Sequence, residues 1–347
     1  MKIIVLMGGT SAEREVSLTS GVSVVEALRK RGHEVIALDT AGEMRKLDIK
    51  DKKLLEIKET PPDTKKLAEI GESFSVQRFK AEDLAGTEVI FLALHGGKGE
   101  DGTIQALLEL TGIPYCGSGV LGSALAMDKE MAKVIFKTND IPTPDWICLD
   151  RDKLPQESDL ISDVEGKLGF PLVVKPNDQG STVGLSFVEK KQELLSAVRE
   201  AARFSNRVLL EKYIPSRELT VGILREEALP VAEIIPEHGI YDYECKYTSG
   251  KSQYIIPAEL SEEKAAELRD VGLKAFRVLR CSDFGRVDFR MDDGGNIFCL
   301  EVNTLPGMTP ASLVPKAAKA IGIRFDELVE KICLLAIERK KRDAWEV

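Results

Sequence analysis

The chain has 347 residues, 43% of them hydrophobic and 30% charged, with a formal net charge of −9. That length predicts two or three domains with ordinary globular cores, and the acidic balance argues against a nucleic-acid partner. No apolar run approaches a membrane span. The opening stretch KIIVLMGG is too short for a secretory h-region and has no small-residue cleavage site, so the expected location is cytoplasmic. The six cysteines, Cys116, Cys148, Cys245, Cys281, Cys299 and Cys333, include no Cys-x-x-Cys pair and read as buried reduced thiols. Three histidines leave little scope for a histidine metal cluster.

Apolar strand candidates at 3–7, 35–38 and 89–94, with a short one near 114–116, alternate with helical stretches at 16–31 and 103–111. This alternation predicts an open parallel sheet flanked by helices, an α/β unit over 1–127. Ligands on such sheets bind at the carboxyl ends of strands. Both glycine-rich turns, MGGTSAEREVS and LHGGKGEDG, fall at such ends. Neither is a G-x-G-x-x-G followed by the expected acidic residue, which excludes a dinucleotide cofactor. Glu13 lies three residues after Thr10, the spacing of a capping box, so a helix cap is one reading of it. His95 is open to a purely structural reading as a hydrogen-bonded histidine at a strand end. Residues 40–80 are charged, contain Pro61-Pro62, and read as a helix or two with connecting loops.

The unit over 128–216 opens on a helix that begins at Met127-Asp128-Lys129, runs to about Asn139, and is broken by the prolines of 141–144. A strand at 170–176 carries Lys175 near its end and leads into NDQGSTVGLS, which contains Ser181. Such a Gly/Ser/Thr loop offers backbone N–H groups to phosphate oxygens. It is not a Walker A loop, since a strand at 184–188 follows it, and an ordinary hairpin turn is the alternative. The segment 208–214, with Glu211, Lys212, Tyr213 and Ile214, reads as a strand entering a domain hinge.

In 217–347, strands are predicted at 218–223 and 231–235, the first containing Glu218. HGIYDYECKYTSGKSQ at 238–253 has no helical or strand period. A loop of that length is uncommon unless functional, so it reads as a lid, an inert surface loop being the alternative. A helix is predicted at 261–279. Ser312 and Leu313 open another, to about Ala320, whose N-terminal N–H groups suit a carboxylate. A closing helix at 326–342 carries an apolar stripe and ends in ERKKR, a basic terminus that complements its dipole.

The stretch FGRVDFRMDDGGNIFCLEVNTLPGMTP, residues 284–310, reads as a β-hairpin. A two-residue loop at Gly294-Gly295 pairs Asp293 with Asn296 and, further out, Asp288 with Glu301. Val287, Phe289 and Met291 then share an apolar face with Phe298, Leu300 and Val302. The other face carries Arg286, Asp288, Glu301 and Asn303. Two carboxylates directly opposite each other destabilise a bare sheet. Either a hard cation held by oxygen ligands removes that cost, or Arg286 and Arg290 neutralise the acids on a solvated face.

GRVDFRM and LEVNTLPGMT, taken with GGTSAEREVSL and the lysine strand with its glycine loop, resemble the D-alanine–D-alanine ligase family of ATP-grasp enzymes. The resemblance covers nearly the whole chain and is weak only at about 40–80 and 150–168. It implies an α/β fold, α+β in the ATP-binding part: an N-terminal domain at 1–127, a central ATP-grasp domain at 128–216 and a C-terminal one at 217–347. It implies that Asp288, Glu301 and Asn303 hold two magnesium or manganese ions on the phosphates of ATP. Lys129, Lys175 and Lys246 would meet the phosphates with Ser181. Glu211 and the backbone near Tyr213 and Ile214 would meet adenine, with Lys212 and Glu218 also on the nucleotide. Glu13 and His95 would hold the first D-alanine, with Ser312 and Leu313 also on substrate. Arg286 and the Gly307 N–H would form an oxyanion hole, and a Glu13–Ser181–Tyr247 network would tie the domains shut. The implied reaction joins two D-alanines at the expense of ATP for peptidoglycan precursor synthesis. A homodimer is compatible with the family. The alternatives are a different acceptor, D-serine or D-lactate, and a nucleotide-binding regulatory protein without turnover.

Overall fold

The computed structural model describes residues 1–42, 44–51, 84–237 and 251–343. Lys246 and Tyr247 lie outside the described residues, as does most of the 40–80 stretch. Among the described residues three sheets are formed. In the first, β1 (Lys2–Met7) pairs in parallel with β2 (Glu34–Asp39) on one side and β4 (Val89–Leu92) on the other. The two-residue β3 (Arg45–Lys46) lies antiparallel at the edge. Ile3 to Met7 are all fully buried, and a strand apolar on both faces needs cover on both. The cover includes α1 (Arg14–Lys30) and, from the far end of the chain, α9 (Phe325–Asp343), whose Leu328, Val329 and Ile332 join this core. The expected strand near 114–116 is a single parallel bridge between Ile90 and Tyr115. Gly117, at φ 98°, turns the chain away directly afterwards.

Two short helices, α2 (Thr103–Glu109) and α3 (Val120–Met127), lead to α4 (Lys129–Thr138). The second sheet is antiparallel, in the order β5 (Trp146–Asp150), β8 (Arg207–Lys212), β6 (Leu172–Pro176), β7 (Ser186–Val188). It packs on α5 (Glu157–Lys167) and α6 (Leu194–Ala201) through Leu160, Val164, Leu194 and Val198. β7 begins two residues later than the sequence suggested. The loop before it winds through positive φ at Ser181, Thr182 and Gly184, and Leu185 N–H closes back on the Thr182 carbonyl.

The third sheet runs β12 (Ser252–Ile255), β11 (Ala232–Pro236), β9 (Arg217–Leu224), β13 (Phe284–Met291), β14 (Ile297–Asn303), with β10 (Glu227–Ala228) beside β9. β12 corrects the reading of 252–253 as unstructured loop. The long helix α7 (Glu262–Val278) crosses this sheet, its N-terminus capped by Ser261, whose hydroxyl accepts from Lys264 N–H at 3.2 Å. Ala132 and Phe136 of α4 complete the core of this sheet. α8 (Leu313–Ala320) follows the loop after β14.

The β13–β14 hairpin departs from the expected register only between its turn and a bulge. Its turn is a three-residue loop: Asp292 N–H donates to the Asn296 carbonyl at 3.0 Å, and Gly295 takes φ 79°. Met291 therefore pairs with Ile297, and Phe289 with Cys299. A β-bulge between Asp288 and Phe289 then restores the offset, so Asp288 does face Glu301. The apolar face changes accordingly. Ile297, Cys299 and Val302 are buried against the core, while Phe298 and Leu300 leave it.

Candidate active site

The first of two adjoining cavities lies between the second and third sheets. Its apolar wall is Val173, Val183, Leu185, Phe187, Ile214 and Leu300. Its charged wall holds Lys129, Lys175, Glu211, Lys212, Glu218, Asp288 and Glu301. The two lysines come from separate elements, and Asn177 fastens those elements together. Its Nδ2 donates to Asp128 Oδ1 at 2.8 Å, and its Oδ1 accepts from Glu130 N–H at 2.8 Å. Asp128 is also the N-cap of α4, accepting from Met131 N–H at 3.0 Å. The residue following β6 thus fixes the start of α4, and Lys129 at that start points its amine at the Gln179 carbonyl, 2.8 Å away, and at Glu301, 3.4 Å away.

Glu211 is buried between two lysines: Lys175 Nζ is 2.9 Å from Oε1 and Lys133 Nζ is 2.6 Å from Oε2. Burial alone would raise this carboxyl, but the two ammonium groups outweigh it and hold it below its ordinary value. Burial also works against the charge on Lys175, yet Glu211 and Glu301 leave its amine above the usual range. The hinge after β8 is braced by Arg290. Its guanidinium donates to the Ile214 carbonyl at 3.0 Å, to Glu218 at 3.0 Å and to the Tyr213 hydroxyl at 3.0 Å. Tyr213 in turn meets the Phe187 ring edge-on at 4.8 Å.

The second cavity opens on the other side of Gly180, Ser181 and Glu301, which line both. It brings together Glu13, His95, Arg286, Asn303, Gly307, Ser312 and Leu313, with Ser20, Glu100 and Tyr254. Glu13 stands at the N-cap of α1 but makes no side-chain cap, which overturns the capping-box reading. Its carboxylate accepts instead from the Ser181 hydroxyl. The approach is so close that a Cβ on Gly96 or Gly180 would sit 2.6 Å from Glu13 Oε2. His95 is buried and its Nε2 lies 3.1 Å from Ser20 Oγ. Burial lowers its pKa, so the imidazole is neutral at pH 7. Glu100 accepts from Gly96 N–H at 2.6 Å and from Leu305 N–H at 3.2 Å, bridging the first sheet to the loop after β14. Ser312 Oγ is engaged by Thr309 N–H at 3.1 Å and leaves its own helix uncapped.

On the polar face of the hairpin, Asp288 is held by Arg286 in a two-pronged ion pair at 2.8 Å, by the Thr220 hydroxyl at 2.6 Å and by Asn303 Nδ2 at 2.9 Å. Glu301 faces Lys129. Arg286 and Lys129 therefore balance these acids here, while Arg290, expected to share that work, braces the hinge. Among the described residues no group of three His, Cys, Asp or Glu side chains is placed to hold a metal ion. The donor set is two carboxylates and an amide, all oxygen, which suits a hard divalent cation.

Sequence reasoning missed Lys133, Leu300, Phe187, Glu100 and Tyr254. Lys133 had a signal, since it lies four residues after Lys129 on the same helix. Leu300 had none, because the bulge that turns it outward is not written in the hydrophobic pattern.

An open, mostly parallel N-terminal sheet followed by two antiparallel sheets that clasp a lysine-lined cavity is the ATP-grasp architecture. Family models described as "D-ala D-ala ligase N-terminus" and "D-ala D-ala ligase C-terminus" match residues 2–118 and 135–334. The D-alanine--D-alanine ligase of Aquifex aeolicus is 44% identical over 333 residues, covering 96% of this chain and 99% of the relative. That of Synechococcus sp. strain JA-3-3Ab is 43% identical over 98% of this chain and 94% of its own. Among solved structures, the Bacillus anthracis ligase complexed with ATP matches with a TM-score of 0.75 at 33% identity, covering 99% of both chains. The Coxiella burnetii ligase matches with a TM-score of 0.80 at 26% identity, covering 99% of this chain and 96% of the other. The chain belongs to the D-alanine–D-alanine ligase family.

Proposed function

We propose that the first cavity takes ATP, the second takes two D-alanines, and the protein joins them to D-alanyl-D-alanine with release of ADP and phosphate, as peptidoglycan precursor synthesis requires. One observation carries this reading: the two cavities share the wall of Gly180, Ser181 and Glu301, so a terminal phosphate and a carboxylate can meet there. The first D-alanine carboxylate attacks the γ-phosphorus, giving an acyl phosphate and ADP. The second amine then attacks the acyl carbon, and phosphate leaves with one of the original carboxylate oxygens. Phosphoryl transfer needs positioning and charge neutralisation more than covalent help from the protein.

The roles follow from position. Lys129 and Lys175 neutralise phosphate, with Ser181 and the loop N–H groups around it. Glu211, Tyr213 and Ile214 face the base, with Lys212 and Glu218 on the nucleotide. Glu13 takes the ammonium of the first D-alanine, beside neutral His95. The N-terminus of α8, at Ser312 and Leu313, takes the second carboxylate. Arg286 and Gly307 N–H receive the oxyanion, so Arg286 must exchange Asp288 for it during turnover. Asp288, Glu301 and Asn303 would hold two magnesium or manganese ions, which when bound supply positive charge to the β- and γ-phosphate oxygens. On the resemblance, Lys246 and Tyr247 close over the site and exclude water. The division at 127/128 and 216/217 is supported by one sheet within each span. Among the described residues no helix is long and apolar enough to cross a membrane. The cytoplasm, as the place of work, is proposed on the family resemblance alone.

The test is phosphate release from magnesium-ATP with D-alanine, L-alanine, D-serine or D-lactate as substrate. Equal amounts of phosphate and dipeptide with D-alanine are expected. ATP binding without phosphate release from any of them would favour a regulatory nucleotide-binding protein.

A further inference from the structure

Lys133 lies one turn after Lys129 on α4 and is fully buried. Its amine is fixed from several sides: 2.6 Å from Glu211 Oε2, 2.7 Å from Thr143 Oγ1, 3.0 Å from the Pro144 carbonyl, and 5.4 Å over the Trp146 ring. Trp146 is the β5 residue directly opposite Glu211. Lys133 lines neither cavity, so it cannot reach phosphate. Lys175 differs, because it lines the first cavity and shares Glu211 from the other side. A lysine that also meets phosphate divides its charge and its three donors between phosphate and Glu211, and holds Glu211 less. A buried carboxylate stripped of its partners is strongly destabilising and tends to take up a proton.

We propose that Lys133 is the positioning residue for base recognition, a permanent counter-ion that keeps Glu211 ionised and directed at the base while Lys175 is engaged by phosphate. This rests on the reading that the first cavity binds ATP. Lys133 takes one acceptor site of Glu211 Oε2, at 2.6 Å, and a carboxylate oxygen has a second to offer a ligand donor. An ionised carboxylate only accepts. It therefore suits the exocyclic amino group of adenine and disfavours the 6-oxo group of hypoxanthine. Among the described residues the titratable groups that act on Glu211 are Lys133 from α4, Lys175 from β6 and the Cys299 thiol from β14. Burial pushes Cys299 far up and leaves it neutral. Burial also lowers Lys133 against the pull of Glu211, with Lys175 acting in the same direction as burial. Phosphate that neutralises Lys175 therefore raises the hold of Lys133 on its proton, strengthening the counter-ion when it is needed.

The experiment is calorimetric binding of ATP and ITP, between pH 6 and 8, to wild type, Lys133→Met, Glu211→Gln and the double variant. Wild type should prefer ATP with an affinity that changes little with pH. Lys133→Met should lose roughly tenfold or more of the ATP preference, and its ATP affinity should fall as the pH is lowered and Glu211 protonates. Glu211→Gln should lose the preference at every pH, and the double variant should match it, because Lys133 has nothing left to hold. A folded Lys133→Met with the wild-type preference would overturn the proposal, as would additive losses in the double variant. If Lys133→Met does not fold, the double variant decides: recovery of folding supports the pair, and no recovery overturns it. Wild type that binds neither nucleotide would instead overturn the reading of the cavity itself.

Discussion

Asn177→Ala should weaken the seam that sets Lys129 beside Lys175. Asn177 is 3% exposed, and its side chain makes one hydrogen bond to the Asp128 carboxylate and one from Glu130 N–H, both at 2.8 Å. A hydrogen bond to a charged group contributes about 1.5–3 kcal/mol and a neutral one about 0.5–1.5 kcal/mol. Losing both therefore costs about 2–4.5 kcal/mol, less whatever water recovers. The backbone link from Lys129 N–H to the Asn177 carbonyl, at 3.2 Å, survives, as does the Asp128 cap. The helix start should loosen rather than unfold. Even about 1–2 kcal/mol of that loss expressed in nucleotide binding raises the KM for ATP roughly five- to thirtyfold. Asn177→Asp should be worse still, since it sets a second carboxylate against Asp128. Thermal unfolding and ATP kinetics measured together check this. A lowered melting temperature with an unchanged KM would mean that the seam is structural only, and no change in either would refute the argument.

Glu301→Gln should cut turnover by about two orders of magnitude while the protein stays folded, because a phosphate-side carboxylate loses its charge; unchanged turnover at saturating magnesium would remove Glu301 from the site. Lys175→Ala should raise the KM for ATP and lower turnover, and an effect confined to D-alanine would assign it to the wrong cavity. Burial, reinforced by Glu13, pushes Glu100 from its ordinary 4.5 up to about 8. The folded state then holds that proton more tightly than the unfolded chain, so stability is lost as the pH rises from 4.5 through 8. Glu100→Gln should accordingly gain on wild type between pH 5 and pH 9, and melting curves that stay parallel would contradict this. Tyr247→Phe should shift products toward the depsipeptide when D-lactate competes with D-alanine, the more so at lower pH; identical product ratios would place acceptor choice elsewhere.

The parallel first sheet was legible because 3–7 is apolar on both faces, a pattern that only a doubly covered strand satisfies. Most helix positions were legible from period and breaks, such as the prolines of 141–144 that end α4; the caps at Asp128 and Ser261 came only with the structure. The pairing of Asp288 with Glu301 was expected from a two-residue turn, but it arises from a three-residue turn and a compensating bulge. Pattern alone cannot see such an offset, since inserting one residue at each place preserves the outer register while reversing Phe298 and Leu300 between them. Glu13 shows a different limit. Its local spacing favours a cap, and a hydroxyl 168 residues away, on Ser181, takes the carboxylate instead. Long-range partners such as Arg290 at the hinge and Glu100 at Leu305 depend on how the sheets meet, which no local period encodes.

In the proposed reaction a phosphate and a carboxylate meet at the wall that the two cavities share. D-alanine labelled with oxygen-18 in both carboxylate oxygens, turned over with unlabelled magnesium-ATP, tests this directly. One labelled oxygen in each phosphate released, and one left in the peptide carbonyl of each dipeptide, is the predicted result. Phosphate released without label would contradict it, since the carboxylate would then not have attacked the γ-phosphorus.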